Sequence, residues 1–176
     1  ITFVLLSVRI PELFRVPVIH LSSLSLFADK IKQNQWSKTD TSLISPDMGG
    51  IRRIKILSQV LNGMPYAIIE KNRNLKSGAI SIDDIQGATK KRAVIVDDMI
   101  STGTTIIRAA ELLSKKGVEE IFVFATHAVF SDNATQMLQG SVVQKVCVTN
   151  TIDVASEKYF PKIEVLSVAG MIAEEL

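Results

Sequence analysis

The feature that most constrains the fold of this chain is an apolar run that ends in two adjacent carboxylates. Residues 93–96 are Ala-Val-Ile-Val, and Asp97 and Asp98 follow directly. An unbroken apolar run of this kind is typical of a strand that is buried on both faces of a parallel sheet. Because carboxylates are costly to bury without partners, we expect the strand to end at the acid pair.

A hydroxyl-rich turn follows the acid pair. Ser101-Thr-Gly-Thr-Thr105 leads into an apolar-periodic segment, which predicts a helix over residues 104–116. The backbone N–H groups of such a turn, with a helix N-terminus behind them, can surround a phosphate. Two carboxylates beside a phosphate site indicate a ligand with both hydroxyls and a phosphate, such as a phosphorylated sugar. The same residues also suit an Asx turn and an ordinary helix N-cap, which involve no ligand.

The rest of the chain alternates strand and helix patterns. Further strands are predicted over residues 41–44, 66–70, 120–125, 142–148 and 163–167. Further helices are predicted over residues 22–35, 51–61 and 132–138. This order predicts an α/β fold with a mostly parallel sheet flanked by helices, whose ligands bind beyond the carboxyl ends of the strands. Residues expected at those ends are Asp47, Lys71, Asp97 and His127.

Two other segments carry candidate chemistry. Ser45-Pro-Asp-Met-Gly-Gly50 joins a carboxylate to glycines that let the backbone approach a ligand, and a helix with Arg52 and Arg53 in its first turn follows. A Gly-Gly turn before a solvated helix explains the same residues without a ligand. Lys71 and Arg73 alternate at the end of a predicted strand, where cations can neutralise a transferring phosphoryl group. A solvated strand end is the alternative there.

Length and composition limit the class of protein. The 176 residues suit one domain, and a net charge of +2 is too small to indicate nucleic-acid binding. The apolar start, Ile1 to Leu6, is too short for a membrane span and lacks the basic start of a signal peptide. Cys147, the single cysteine, lies in an apolar run and is expected in the core, which suits a reducing cytoplasm. A chain that begins with Ile is expected to be a fragment.

From about Pro17 to its end, the chain resembles the C-terminal half of the ribose-phosphate pyrophosphokinase family. The resemblance rests on blocks that occur in the family's order, namely Ser45–Gly50, Ile69–Arg73, Val96–Thr105, Ala125–Ser131 and Val148–Ile152. The family has a type I phosphoribosyltransferase-like fold, which the resemblance implies for residues 22–176. Residues 1–21 are then expected to be a remnant of the preceding domain and a linker.

The resemblance also implies a reaction and roles for residues. The family transfers a pyrophosphoryl group from Mg-ATP to O1 of ribose 5-phosphate, forming phosphoribosyl pyrophosphate and AMP, and its full-length members are usually homo-oligomers. Residues that match its ribose 5-phosphate site are Asp97, Asp98, Ser101, Thr102, Gly103, Thr104 and Thr105. Asp47 matches its magnesium site, and Gly49 and Gly50 match its diphosphate path. Lys71 and Arg73 match its catalytic cations.

Some positions depart from the family pattern. Val4, Leu6 and Ile19 stand where the family has an acid, a histidine and a second acid, and none of these side chains can bind a metal or accept a proton. Thr104 stands where the family more often has glycine. Two alternatives therefore stay open. The chain is a non-catalytic regulatory subunit of such a synthetase, or it is a phosphoribosyltransferase that consumes phosphoribosyl pyrophosphate.

Overall fold

The computed structural model describes residues 1–3, 14–70 and 84–176, and strands and helices alternate along them. The strands are β1 (Thr2–Phe3), β2 (His20–Leu21), β3 (Thr41–Ser45), β4 (Tyr66–Glu70), β5 (Asp84–Gly87), β6 (Arg92–Ile100), β7 (Glu120–Ala128), β8 (Lys145–Thr149) and β9 (Ile163–Leu166). The helices are α1 (Leu24–Gln33), α2 (Ile51–Val60), α3 (Thr104–Lys115), α4 (Ala134–Gly140) and α5 (Ala169–Ala173). Short 3-10 turns cover Met48–Gly50 and Ser156–Lys158.

A seven-stranded sheet organises these elements. Its strand order is β5-β4-β3-β6-β7-β8-β9. Neighbouring strands pair in parallel, except that β5 runs antiparallel to β4 at one edge. A separate parallel pair joins β1 to β2. The predicted α/β fold with a mostly parallel sheet flanked by helices is confirmed.

Apolar residues cover both faces of the sheet because the helices α1 to α4 each bury apolar side chains. On one face, Phe27 of α1 and Leu57 of α2 are fully buried in a cluster with Phe124 of β7. The rings of Phe27 and Phe124 meet edge to face, with their centroids 5.4 Å apart. On the other face, α3 and α4 bury Leu113 and Leu138. Each such side chain contributes about 1.5–3 kcal/mol on burial, so packing on both faces stabilises the sheet.

The central strand β6 is longer than predicted. The prediction that the strand stops at the acid pair is wrong, because β6 continues through Asp97 and Asp98 to Ile100. The physical reason is its neighbour β7, which pairs with it as far as Ile100, whereas β3 pairs with it only as far as Ile95. Within the described residues, the acids therefore lie on a segment of β6 that has a paired strand on one side only.

Two other strand boundaries also differ from the prediction. β7 extends to Ala128 rather than ending at residue 125, and His127, as its next-to-last residue, lies at the carboxyl end of the strand as predicted. β8 begins at Lys145 rather than at residue 142, because α4 continues to Gly140 and the Ser141 hydroxyl then donates to the Leu138 carbonyl at 2.7 Å. These shifts move strand ends by a few residues and leave the order of elements unchanged.

Part of the predicted chemistry lies outside the described residues. Lys71, Arg73, Val4 and Leu6 belong to that part, and the domain boundary at residue 21 stays a prediction. Cys147 is 1% exposed, which confirms its predicted place in the core. No helix in the described ranges combines the length and apolar character that crossing a membrane requires.

Candidate functional site

A cavity of about 210 Å³ opens at the carboxyl end of β6. Its walls come from the acid pair, from the turn after β6 and from the connection between β3 and α2. The lining residues are Asp47, Asp97, Asp98, Met99, Ile100, Ser101, Thr102, Gly103, Thr104, Thr105 and Ile106. The fold thus brings the predicted acids, the predicted phosphate turn and Asp47 into one cavity.

The backbone of β6 holds the acid pair in place. The Asp98 N–H donates to Asp97 Oδ1 at 2.8 Å, and the Met99 N–H donates to Asp98 Oδ1 at 2.8 Å. The side chains of Asp97 and Asp98 are 17% and 23% exposed. Both carboxylates are therefore largely removed from water and fixed in orientation.

Arg53 of α2 places a positive charge between the two acids. Its Nη1 lies 3.3 Å from Asp97 Oδ1, and its Nη2 lies 2.9 Å from Asp98 Oδ2. A planar guanidinium can reach two carboxylates with separate nitrogens, which a lysine ammonium does less well. Arg53 therefore offsets the repulsion between two adjacent negative charges.

Asp97 nevertheless has an unusual proton affinity. Loss of contact with water raises the pKa of Asp97 to about 7, and the negative charge of Asp98 raises it as well. The Asp98 N–H and the Arg53 guanidinium act in the opposite direction and lower this pKa. The Asp97 carboxyl consequently changes its protonation near neutral pH.

The turn after β6 presents the start of α3 to the cavity. Gly103 adopts φ +76°, a left-handed conformation that favours glycine. Since glycine is the N-cap residue, it offers no side-chain oxygen to the first turn of α3, and the Thr104 N–H makes only a long contact of 3.4 Å to the Thr102 hydroxyl. The first N–H groups of a helix lack partners within the helix and can bind water or an anion. The hydroxyls of Thr102 and Thr104 lie 3.0 Å apart, and the Ser101 hydroxyl lies 2.7 Å from that of Ser131. This arrangement suits a phosphate.

The connection between β3 and α2 supplies Asp47. Asp47 Oδ1 accepts a hydrogen bond from the Gly49 N–H at 2.9 Å. A Cβ atom at Gly50 would clash with Ser45 Oγ and would lie 3.1 Å from Arg53 Nη1. Glycine at position 50 thus leaves room for the Arg53 guanidinium. The diphosphate role of Gly49 and Gly50 stays a prediction.

Carboxylate oxygens suitable for a magnesium ion are present in the cavity wall. Nowhere in the described ranges do three His, Cys, Asp or Glu side chains lie close enough together to hold a metal ion by themselves. Mg²⁺ often uses only one or two carboxylates and completes its coordination with water and substrate phosphates. Asp47, in the same cavity as the acid pair, fits that pattern. Its metal role stays a prediction.

Among the described residues, the predicted positions Gly49, Gly50 and His127 do not line the cavity. Lys71 and Arg73 fall outside the described residues, and their catalytic role stays a prediction. His127 is not among the lining residues, and its Nδ1 lies 2.9 Å from the Thr151 hydroxyl. Arg53 is the residue that sequence reasoning missed. The sequence marks it only as a basic residue in the first turn of a helix, since no local pattern links it to acids that are far away in the sequence.

The mostly parallel sheet with helices on both faces makes this an α/β protein with a phosphoribosyltransferase-like fold. The crystal structure of adenine phosphoribosyl transferase from Trypanosoma brucei in complex with AMP, pyrophosphate and ribose-5-phosphate has a similar fold. The TM-score is 0.52 at 18% identity, over 87% of this chain and 75% of that chain. A likeness at this level of identity shows the fold alone.

Residues 25–176 match the model of the phosphoribosyl synthetase-associated domain, and the chain belongs to this family. It is 37% identical over 163 residues to ribose-phosphate pyrophosphokinase 1, chloroplastic, of Arabidopsis thaliana, which covers 93% of this chain and 40% of that protein. It is 38% identical over 170 residues to ribose-phosphate pyrophosphokinase of Synechocystis sp., covering 97% of this chain and 50% of that protein.

A solved structure is also similar over nearly the whole chain. The crystal structure of phosphoribosylpyrophosphate synthetase from Mycobacterium smegmatis has a TM-score of 0.87 and 32% identity, over 98% of this chain and 55% of that chain. The resemblance to the ribose-phosphate pyrophosphokinase family is therefore confirmed. The chain spans about half the length of the relatives it matches.

Proposed function

We propose that this chain carries the ribose 5-phosphate part of a ribose-phosphate pyrophosphokinase site. The observation that carries the proposal is one cavity lined both by a carboxylate pair and by the start of a helix that no N-cap side chain covers. Carboxylates accept strong hydrogen bonds from hydroxyls, and helix N-termini bind phosphates. A sugar phosphate carries both groups, so its hydroxyls can bind to the carboxylates while its phosphate binds at the start of the helix. Membership of the phosphoribosyl synthetase-associated domain family supports this choice.

The proposed reaction is a displacement at phosphorus. O1 of ribose 5-phosphate attacks the β-phosphorus of ATP, and a new bond forms between O1 and that phosphorus. The bond from the β-phosphorus to the oxygen that bridges to the α-phosphate breaks, and its electron pair leaves with AMP. The O1 proton passes to solvent. The products are phosphoribosyl pyrophosphate and AMP.

In this proposal, the residues of the chain act by positioning and by charge. Asp97 and Asp98 hold ribose hydroxyls while the start of α3 holds the 5-phosphate, so that O1 faces the incoming phosphorus. Lys71 and Arg73 neutralise charge on the group in transfer. A magnesium ion held by Asp47 would supply further neutralisation of phosphate charge. ATP is the co-substrate, the proposed location is the cytoplasm, and the proposed full-length protein is a homo-oligomer.

Phosphorus NMR of the purified chain with Mg-ATP and ribose 5-phosphate tests turnover. Signals of AMP and phosphoribosyl pyrophosphate that are absent with Asp98→Asn would support the proposal. Calorimetric titration with ribose 5-phosphate alone tests the sugar-phosphate part separately. Binding without turnover would mean that groups beyond this half-length chain complete the reaction. If neither binding nor turnover occurs, the proposal is wrong.

A non-catalytic subunit is a second candidate, and one observation favours it. Val4 and Leu6 stand where the family has an acid and a histidine. Lys71→Ala separates the two candidates, because it should abolish turnover in an enzyme and should leave partner binding unchanged in a regulatory subunit. Lys55→Ala, at an exposed position of α2, is the matched control. Relatives named ribose-phosphate pyrophosphokinase favour pyrophosphoryl transfer over the phosphoribosyltransferase alternative.

A further inference from the structure

Arg53 connects two elements, α2 and β6, that meet at the acid-pair end of the cavity, where the proposed function places the sugar hydroxyls. It lies on α2, whereas Asp97 and Asp98 lie on β6, and 44 positions separate Arg53 from Asp97. Its nitrogens reach one carboxylate each, at 3.3 Å and 2.9 Å. The side chains of the three residues are only 17%, 17% and 23% exposed. Solvent therefore screens their attraction less than it screens an ion pair at the surface.

Arg53 and the backbone use only part of the hydrogen-bonding capacity of the acids. Asp97 receives both Arg53 and the Asp98 N–H on the same oxygen, Oδ1. In the part of the chain that the structure describes, no donor reaches Asp97 Oδ2. Asp98 receives Arg53 on Oδ2 and the Met99 N–H on Oδ1, which leaves further lone pairs on both oxygens. The acids are fixed in place and can still accept hydrogen bonds from a ligand.

The local backbone leaves space for the Arg53 side chain. Glycine at position 50 is buried, and a Cβ atom there would lie 3.1 Å from Arg53 Nη1. The neighbouring Arg52 lies on the same helical turn with its side chain exposed. The two adjacent arginines therefore differ in environment, and only Arg53 is directed at the acids.

We infer that Arg53 is a positioning residue of the sugar site, which acts through Asp97 and Asp98 to recognise two neighbouring hydroxyls of a sugar phosphate. The inference rests on the proposed function. Without the guanidinium, two adjacent carboxylates repel each other, so one of them turns away or takes up a proton and stops accepting. The proposed function places the phosphate at the start of α3, whereas the ion pairs of Arg53 go to Asp97 and Asp98 of β6. Loss of Arg53 should therefore weaken recognition of hydroxyls and spare recognition of phosphate.

Calorimetric titration of three proteins tests this separation. Wild type, Arg53→Met and Arg52→Met are each titrated with ribose 5-phosphate, with 2-deoxyribose 5-phosphate and with inorganic phosphate. Arg53→Met should bind ribose 5-phosphate about tenfold to a hundredfold more weakly, as expected when a hydrogen bond to a charged group is lost. Its affinity for inorganic phosphate should not change. Arg52→Met removes the same charge from the same helical turn and should affect all three ligands equally or not at all.

A conservative variant separates geometry from charge. Arg53→Lys keeps the positive charge, and with it the fold, but its single ammonium cannot span both carboxylates as the guanidinium does. The preference for ribose 5-phosphate over the 2-deoxy sugar should therefore shrink in this variant. Because a purely structural role would not change that preference, Arg53→Lys also carries the test if Arg53→Met fails to fold.

The possible outcomes distinguish the two claims. The inference is overturned, and the proposed function stands, if both Arg53 variants keep the wild-type ligand preferences. The same holds if the variants lose affinity for all three ligands equally. If wild type binds no sugar phosphate, the proposed function is wrong and the inference is wrong with it. The expected result is that only the Arg53 variants lose affinity selectively for ribose 5-phosphate.

Discussion

Replacement of Asp97 by asparagine should stabilise the fold, and the gain should increase as the pH rises. Burial raises the pKa of Asp97 in the fold to about 7, above its ordinary value of 3.8. The folded state thus holds a proton that the unfolded chain releases. A raised pKa contributes stability that is fully present below the unfolded value and is lost as the pH rises through the folded value. Asparagine has the same shape and no proton to lose.

The magnitude follows from the difference between the two pKa values. Above pH 7, ionisation of Asp97 costs the wild-type fold about 4 kcal/mol relative to its protonated form. Between pH 5 and pH 8 the change is roughly 2–3 kcal/mol, because the unfolded chain is already ionised at the lower pH. The Arg53 and Asp98 contributions are included, since both act on the same pKa.

Urea unfolding of wild type and Asp97→Asn at pH 5, 6, 7 and 8 measures this difference. The free energy of unfolding of the variant minus that of wild type should grow from pH 5 to pH 8. The effects of all other titrating groups are common to both proteins and cancel in this difference. Asp153→Asn makes the same chemical change at an exposed position and is the control for the substitution itself. A constant difference for Asp97→Asn, or one that shrinks as the pH rises, would refute the reasoning.

Other substitutions and reactions test further parts of the structure. Gly103→Ala and Gly117→Ala both force alanine into left-handed backbone and should each lower the unfolding free energy by about 1–2 kcal/mol, but only Gly103→Ala should weaken ribose 5-phosphate binding in calorimetry. Phe124→Ala should lower the unfolding free energy in urea by about 3–5 kcal/mol, and a loss below about 1 kcal/mol would contradict its place in the core. Burial raises the pKa of the Cys147 thiol to about 12, so iodoacetamide at neutral pH should label the unfolded chain and not the folded one. Rapid labelling of the folded chain, followed by mass spectrometry, would contradict that burial.

Those parts of the fold and the site that short stretches of sequence encode could be predicted. The helix Thr104–Lys115 has an apolar period and a glycine just after its end, and the sequence signal for it is complete within that stretch. The acid pair and the following turn are likewise contiguous. Because parallel strands place their carboxyl ends on one edge, the sequence predicts Asp47 near the acids, and Asp47 lines the same cavity.

Those parts that depend on contacts between distant elements could not be predicted. Arg52, Arg53 and Lys55 are all basic residues in one helix, and only the rotation of α2 against β6 decides which one meets the acids. The length of β6 depends in the same way on β7, which continues to pair with it after β3 has ended. Asp97 and Asp98 lie inside a strand although carboxylates are costly to bury. The ion pairs that Arg53 makes with both acids explain this exception, because they supply the partners that buried carboxylates need.

Backbone amide NMR during titration with ribose 5-phosphate tests the central claim most directly. Saturable shifts should be largest for the amides of residues 101–106, where the phosphate is proposed to bind, and of residues 97–99, beside the proposed position of the hydroxyls. The same titration of Asp98→Asn should leave the first group responsive and weaken the second. Shifts that cluster elsewhere, for example at Lys90, Lys91 and Lys116 near the opposite end of β6, would contradict the account. So would the absence of any shift.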